Sequence, residues 1–255
     1  MLNTLKQKQF LFEELVKRDF IRKYKRAILG TVWSLLSPLL NLLMMSIVFT
    51  HFFGKSTPHY MIYLFTGQLV FSYYREATCY GMTSLALNAP IFSHINMPKY
   101  MFLLSQNISA MINFGLTMVV FLLFVIGAGI QLQPRFLLLI YPAVCLLLFN
   151  VGIGLILSAL YLMFKDIQYM YDFFTMMLMY SSAIFYTINS FPPTVQTLFL
   201  LNPLYVYIYY IRQLVIGGTI PSLWYHGLCM FYALLMLGIG SLIYKKYNHQ
   251  FLYYI

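Results

Sequence analysis

The run from residue 173 to residue 211, bounded by Asp172 and Arg212, carries no formal charge. It is cut by Asn189-Ser190-Phe191-Pro192-Pro193 and again by Asn202-Pro203. A helix that crosses a bilayer needs about 20 apolar residues. The run is too long for one crossing, and its breaks are badly placed for two. Residues 173–188 can complete one span. The apolar pieces 194–201 and 204–216 that follow, closed by Gly217-Gly218, are of half-membrane length. Pieces of about 10–14 residues suit re-entrant or interfacial helices. Broken helices at membrane depth survive only against protein or a water-filled cavity. The pattern therefore points to a pathway for a polar solute, and so to a transporter.

The rest of the chain has the same character. Hydrophobic residues make up 61% and charged residues 9%, against roughly 25% charged in soluble domains. Six crossings are expected, at about 29–53, 60–82, 101–127, 136–161, 168–188 and 223–244. The second half of the run 77–98 holds Asn88-Ala89-Pro90, His94, Asn96 and Pro98, and reads as a loop with a short helix. Little remains for a soluble domain, so residues 1–255 form one membrane domain.

Lys and Arg accumulate in short cytoplasmic loops. With the N-terminus inside, the cytoplasmic side holds Lys6, Lys8, Lys17, Arg18, Arg22, Lys23, Lys25, Arg26, Lys99, Lys165, Lys245 and Lys246. The outside holds only Lys55, Arg135 and Arg212, and Arg75 lies within a span. Both termini are expected in the cytoplasm. The net charge of +10 then needs no nucleic acid, because basic residues beside anionic headgroups gain about 1 kcal/mol each. Residues 10–27 suit an interface helix, with Phe12, Val16, Phe20 and Tyr24 at four-residue spacing and Arg18, Arg22 and Lys25 on another face. Glu13 and Lys23 intrude on the apolar side. The apolar run after Arg26 is too long for a cleavable signal peptide and lacks a small-residue cleavage site.

Catalytic chemistry is hard to find. Cys79, Cys145 and Cys229 stand alone in apolar runs and give no disulfide framework. Gly54-Lys55-Ser56 imitates the end of a phosphate-binding loop, but Phe49 stands where that motif needs its first Gly. Asp166 and Asp172 fall about 240° apart around a helix and do not converge on a metal. His51, His59, His94, His226 and His249 show no ligand spacing, and read as polar residues near span ends. The sequon Asn107-Ile108-Ser109 lies inside an expected span. No catalytic residue, metal site or cofactor is assigned to this chain.

Arg75-Glu76 differs from these, because it lies deep in the second expected crossing. Charges inside a bilayer cost at least about 2.5–3.5 kcal/mol each on insertion scales, so they face cavities or partners. Tyr73-Tyr74 and the cluster Tyr205, Tyr207, Tyr209 and Tyr210 offer aromatic faces with a hydroxyl handle, which suit sugar rings. Interface belts and core packing account for Tyr residues as well. The expected substrate pathway is Tyr73, Tyr74, Arg75, Glu76, Tyr205, Tyr209 and Arg212.

Three segments carry a family resemblance. The run from Arg18 to Arg26, followed by Leu29-Gly30, Trp33 and Pro38, resembles the N-terminal signature of bacterial ABC-type polysaccharide export permeases. Asn88-Ala89-Pro90-Ile91-Phe92 through Met97-Pro98-Lys99 is similar to that family's cytoplasmic segment after span two, with Ser93-His94-Ile95-Asn96 where many members are basic. Phe185-Tyr186 through Phe191-Pro192, then Leu201-Asn202-Pro203-Leu204 and Gly217-Gly218, resembles its extracellular re-entrant hairpin.

The resemblance implies an all-α integral membrane fold of six transmembrane helices with an N-terminal amphipathic interface helix and an extracellular re-entrant hairpin before the last span. Residues 1–27 would be the interface helix, 28–247 the bundle with a coupling segment at 88–99 and the hairpin at 191–218, and 248–255 a cytoplasmic tail. It implies a homodimer in the bacterial plasma membrane, completed by two copies of a separate ATPase that holds ATP and Mg. The cargo would be polysaccharide on a polyprenyl-diphosphate lipid, of the O-antigen, teichoic acid or capsule kind. Arg18, Arg22, Lys25 and Arg26 would meet the lipid diphosphate or headgroups. Asn88, Ile91, Phe92 and Lys99 would meet the ATPase. Two other classes stay open on the residues: a membrane-embedded glycosyl- or acyltransferase acting on lipid-linked sugars, and an ion-coupled secondary transporter.

Overall fold

The computed structural model describes residues 2–24, 30–53, 58–94 and 98–248. Among these residues every regular element is helical. In chain order they are α1 (Leu2–Tyr24), α2 (Trp33–Phe53), α3 (Tyr60–Leu87), α4 (Ala89–His94), α5 (Tyr100–Gly127), α6 (Ile140–Met163), α7 (Ile167–Ser181), α8 (Pro193–Phe199), α9 (Pro203–Val215) and α10 (Leu223–Tyr247). A turn of 3-10 helix, Pro134–Leu139, leads into α6. Three stretches are long and apolar enough to cross a membrane: Tyr100–Gly127, Pro134–Met163 and Leu223–Tyr247. Leu35–His51 is a shorter apolar helix segment.

α3 is the central post, packed against α2, α5, α6, α7 and α9. Its buried side chains run from Tyr60 to Leu85 around much of its circumference, as in a helix enclosed by others. α6 and α10 approach until their backbones touch. A Cβ added at Gly152 would strike the main chain of Met236 and Leu237, and one at Gly240 would strike Gly152. Small residues are what permit such contact between apolar helices.

The expected fifth span, 168–188, is shorter as a helix. α7 ends at Ser181. There the Ser182 hydroxyl bonds back to the Leu178 carbonyl at 2.6 Å, and Ala183 turns into the left-handed region at φ 50°. The main chain of 183–186 is thereby released from helical pairing, and buried carbonyls need other donors. Side chains of α3 and α9 supply them. Arg212 donates to the carbonyls of Ala183 (2.8 Å), Ile184 (3.0 Å) and Tyr63 (3.0 Å). Tyr60 donates to Phe185 (2.6 Å) and Tyr63 to Tyr186 (2.7 Å). The guanidinium lies 3.3 Å from the centre of the Tyr63 ring. Gly67 makes room for this arrangement, since a Cβ there would meet Ile184 Cγ2 at 2.9 Å and Arg212 Nη2 at 3.1 Å.

The following segment holds two short helices in place of one long one. No residue of α8 is buried, whereas α9 packs against α3, α6 and α10. Asn202 joins the two breaks. Its oxygen accepts from the Leu204 and Tyr205 amides at 3.0 and 3.4 Å, capping α9, and its amide donates to the Ser182 hydroxyl at 3.0 Å.

Replacing Arg212 by Leu removes the described donor of the Ile184 carbonyl and one of the two described donors of Ala183, which keeps the Tyr63 hydroxyl at 3.3 Å. The expected loss is about 1–3 kcal/mol for each orphaned carbonyl, read as a lower unfolding temperature of the detergent-solubilised protein. Arg212→Lys recovers little of it, because one ammonium cannot reach both carbonyls and keep the ring contact. Wild-type stability in both variants would show that the turn is held by other contacts.

Candidate functional site

Arg75 and Glu76, adjacent in sequence, point apart. Arg75 is exposed and shares the neighbourhood of the Cys79 thiol with Asp172 of α7. Glu76 turns toward α5, where Asn113 Nδ2 donates to its carboxylate at 2.6 Å. Glu76 lines a cavity of about 460 Å3 between α2, α3 and α5. With Tyr80 it also lines a smaller space, about 250 Å3, that reaches Asp19 and Arg22 on α1. The two spaces share Glu76 and Tyr80 and lie side by side as a groove of mixed polar and apolar lining along α3.

The remaining residues expected on the pathway separate. Tyr73 lines the larger cavity with its ring 4.8 Å from that of Phe114. Tyr74 is buried on another side, where the Tyr171 hydroxyl of α7 lies within hydrogen-bonding distance of its own hydroxyl (2.9 Å) and of that of Thr78 (2.7 Å). Tyr205 and Tyr209 stack at 5.8 Å, and Tyr209 meets Tyr225 of α10 at 4.7 Å. Arg212, expected on the substrate route, is a buried clamp whose guanidinium is spent on backbone carbonyls. Its formal charge gave no hint of this, because the three acceptors are main-chain atoms.

The expected headgroup and ATPase contacts divide in the same way. Arg18 is tied inward: its Nη2 lies 2.6 Å from Asp19 Oδ1 and 2.8 Å from Asn88 Oδ1. Asp19 has no exposed side-chain surface and also accepts from the Ser105 hydroxyl at 2.7 Å. Asn88 is buried, and its amide donates to the Ser84 carbonyl at 2.7 Å. Asn88 thus holds α1 to the end of α3 and cannot offer its side chain to a partner. Ile91 packs against the cluster of Leu15, Ala89 and Phe102. Lys99 donates to the Asn248 carbonyl at 3.1 Å, and burial lowers its ammonium below the ordinary lysine range. Arg22 remains exposed at the mouth of the groove. Lys25 and Arg26 lie outside the described residues, as does the side chain of Phe92.

Residues that reading the sequence missed are mostly uncharged. Asn113, Gln68 and Asn41 line the larger cavity. The available signal was the presence of amides inside apolar runs, where polar groups are expensive and face other polar groups.

Apolar helices around a broken-helix turn, with a groove of mixed lining beside the central one, define a membrane permease. The chain belongs to the ABC-2 type transporter family, whose model matches residues 11–216. Among similar proteins, an O-antigen export system permease of Klebsiella pneumoniae is 25% identical over 247 residues, covering 95% of both chains. A polysialic acid transport protein of Escherichia coli is 23% identical over 239 residues, covering 91% of this chain and 92% of that one. A capsule polysaccharide export inner-membrane protein of Neisseria meningitidis serogroup B is 23% identical over 193 residues, 74% of this chain and 73% of its own.

Asp19→Ala leaves Arg18 and Ser105 without their buried acceptor. Arg18 keeps Asn88 and is partly exposed, so the loss is that of the unmet donors, about 1–3 kcal/mol, and a lower unfolding temperature is expected. Arg22→Gln, on the same helix but exposed, should stay within about 0.5 kcal/mol of wild type. Equal effects in the two variants would remove Asp19 from its role as an anchor.

Proposed function

We infer that this chain is the transmembrane subunit of an ATP-driven exporter that moves polyprenyl-diphosphate-linked cell-surface polysaccharide across the plasma membrane. The observation that carries the reading is the end-to-end likeness to an O-antigen export permease, 95% of both chains. That likeness ranks it above a lipid-sugar transferase or an ion-coupled carrier. Two copies would pair in the membrane. On α7, Tyr169, Met170, Phe173 and Met177 are each more than half exposed, a face open to lipid or to a second copy. A separate ATPase, also in two copies, would bind and hydrolyse ATP with Mg.

In this reading both termini are cytoplasmic, and α4 is the element that meets the ATPase. The buried Arg18–Asp19–Asn88–Ser105 network then joins α1, the base of α4 and α5 into one body, so a push on α4 would reach the interface helix. Arg22, with Lys25 and Arg26, would stand near the lipid diphosphate, which guanidinium binds bidentately. The turn at 183–186 and the helices α8 and α9 would lie toward the outer surface.

The test is genetic and biochemical. A strain lacking the chain should stop displaying its surface polysaccharide and retain the lipid-linked polymer inside. Restoring the chain should restore display, and ATPase activity should depend on a co-expressed nucleotide-binding partner. Continued display without the chain would overturn the reading. Changing Phe92 to Asp should abolish co-purification of the ATPase while insertion continues, since interface anchors are bulky; Ile91 is left in place because it packs against Leu15, Ala89 and Phe102. An unchanged complex with normal ATP turnover would place the docking site elsewhere.

A further inference from the structure

Three helices present polar stripes to one another inside an otherwise apolar bundle. On α3 the stripe is Gln68, Ser72, Glu76 and Tyr80, at four-residue spacing over about 18 Å of helix. On α5 it is Ser109, Asn113 and Thr117, and on α2 it is Trp33, Ser37 and Asn41. All of these residues line the two adjoining cavities beside α3. A single polar side chain in a span can be accommodated by back-bonding to its own helix. Three stripes in register, facing one space, call for a polar occupant of that space.

We propose that the larger cavity is a subsite within one protomer for a neutral sugar unit of the exported polymer, and this rests on the exporter reading. Its volume, about 460 Å3, falls within the roughly 300–1,000 Å3 of small-ligand sites. Its walls combine aromatic faces, Trp33 and Tyr80 among them, with the amides of Asn41, Gln68 and Asn113. That mixture matches a pyranose ring, which has apolar faces and a polar edge.

Charge selects the kind of sugar. The larger cavity contains the carboxylate of Glu76 and, among its described lining, no Lys, Arg or His. A uronate, a sialate or a phosphate placed there would meet like charge at low dielectric. Across the groove the one described cation is Arg22, at the outer end of the smaller space beside α1. The smaller space also holds Glu76 and Asp19, so uncharged sugar units belong inside.

The test uses the full chain with its ATPase partner in membrane vesicles. All three native cysteines are replaced, and one cysteine is introduced as Ser72→Cys. A water-soluble cationic methanethiosulfonate probes it in vesicles from cells that make no polymer, and in vesicles where a hydrolysis-deficient ATPase traps polymer. Reaction without polymer, slowed about tenfold at about 90% occupancy by trapped polymer, is the expected result. Equal rates with and without polymer would overturn the subsite. So would an inert thiol in both membranes, since lipid or protein would then fill the space. If Ser72→Cys fails to assemble, Thr117→Cys reads the same cavity from α5. An exported polymer with a carboxylate or phosphate on every sugar would overturn the neutral class. None of these outcomes alters whether display depends on the chain, which tests the exporter reading separately.

Discussion

Everything on the far side of this bundle depends on satisfying the carbonyls of residues 183–186. A chain that breaks its helix among apolar neighbours must find donors for the exposed main chain, and water is not freely available there. Arg212 serves the carbonyls of 183 and 184 from α9, and Tyr60 and Tyr63 of α3 serve those of 185 and 186. The clamp also fixes where α9 lies. Because the guanidinium must reach both 183 and 184, α9 is drawn against α3, and Gly67 provides the space. The Pro192-Pro193 and Asn202-Pro203 breaks set the length of α8, and the clamp fixes where α9 sits. Asn202 reinforces it by capping α9 and holding the end of α7 with the same side chain.

A second polar knot organises the other end. Asp19 is held by Arg18 and Ser105, and Arg18 continues to Asn88. A buried ion pair of this kind contributes little net stability over a well-packed apolar core. Its value lies in register: it admits one relative placement of α1, the end of α3 and α5. For a subunit that would receive force through the short helix after Asn88, a rigid joint at that point is mechanically useful.

Between the two knots, α3 carries different chemistry on different sides. Glu76 and its stripe face α2 and α5, Arg75 shares the Cys79 neighbourhood with Asp172, and Tyr74 bonds to α7 through Tyr171. The helical rotation of about 100° per residue separates neighbours in sequence into separate environments. The two adjacent charges therefore do not form one ion-binding centre. They mark two surfaces of one helix, one bordering the groove and one toward α7.

The sequence by itself determined that the chain is helical and membrane-embedded, where most helices lie, and that the run after Asp172 must break. Periodicity, charge-free runs and Asn-Pro or Pro-Pro breaks are local properties, and they placed α5 and α10 within a few residues. It also marked Glu76 as unusual, whereas the polar stripes of α2, α3 and α5 acquire meaning only once packing turns them toward one space. Tertiary structure alone decided that Arg212 clamps a turn, that Asn88 and Arg18 face inward, and that Arg75 and Glu76 serve different surfaces. Each of these depends on which atoms meet across elements far apart in sequence. A charged side chain looks the same in a sequence whether it reaches a substrate or a backbone carbonyl, and only the packing of α9 against α3 chooses between them.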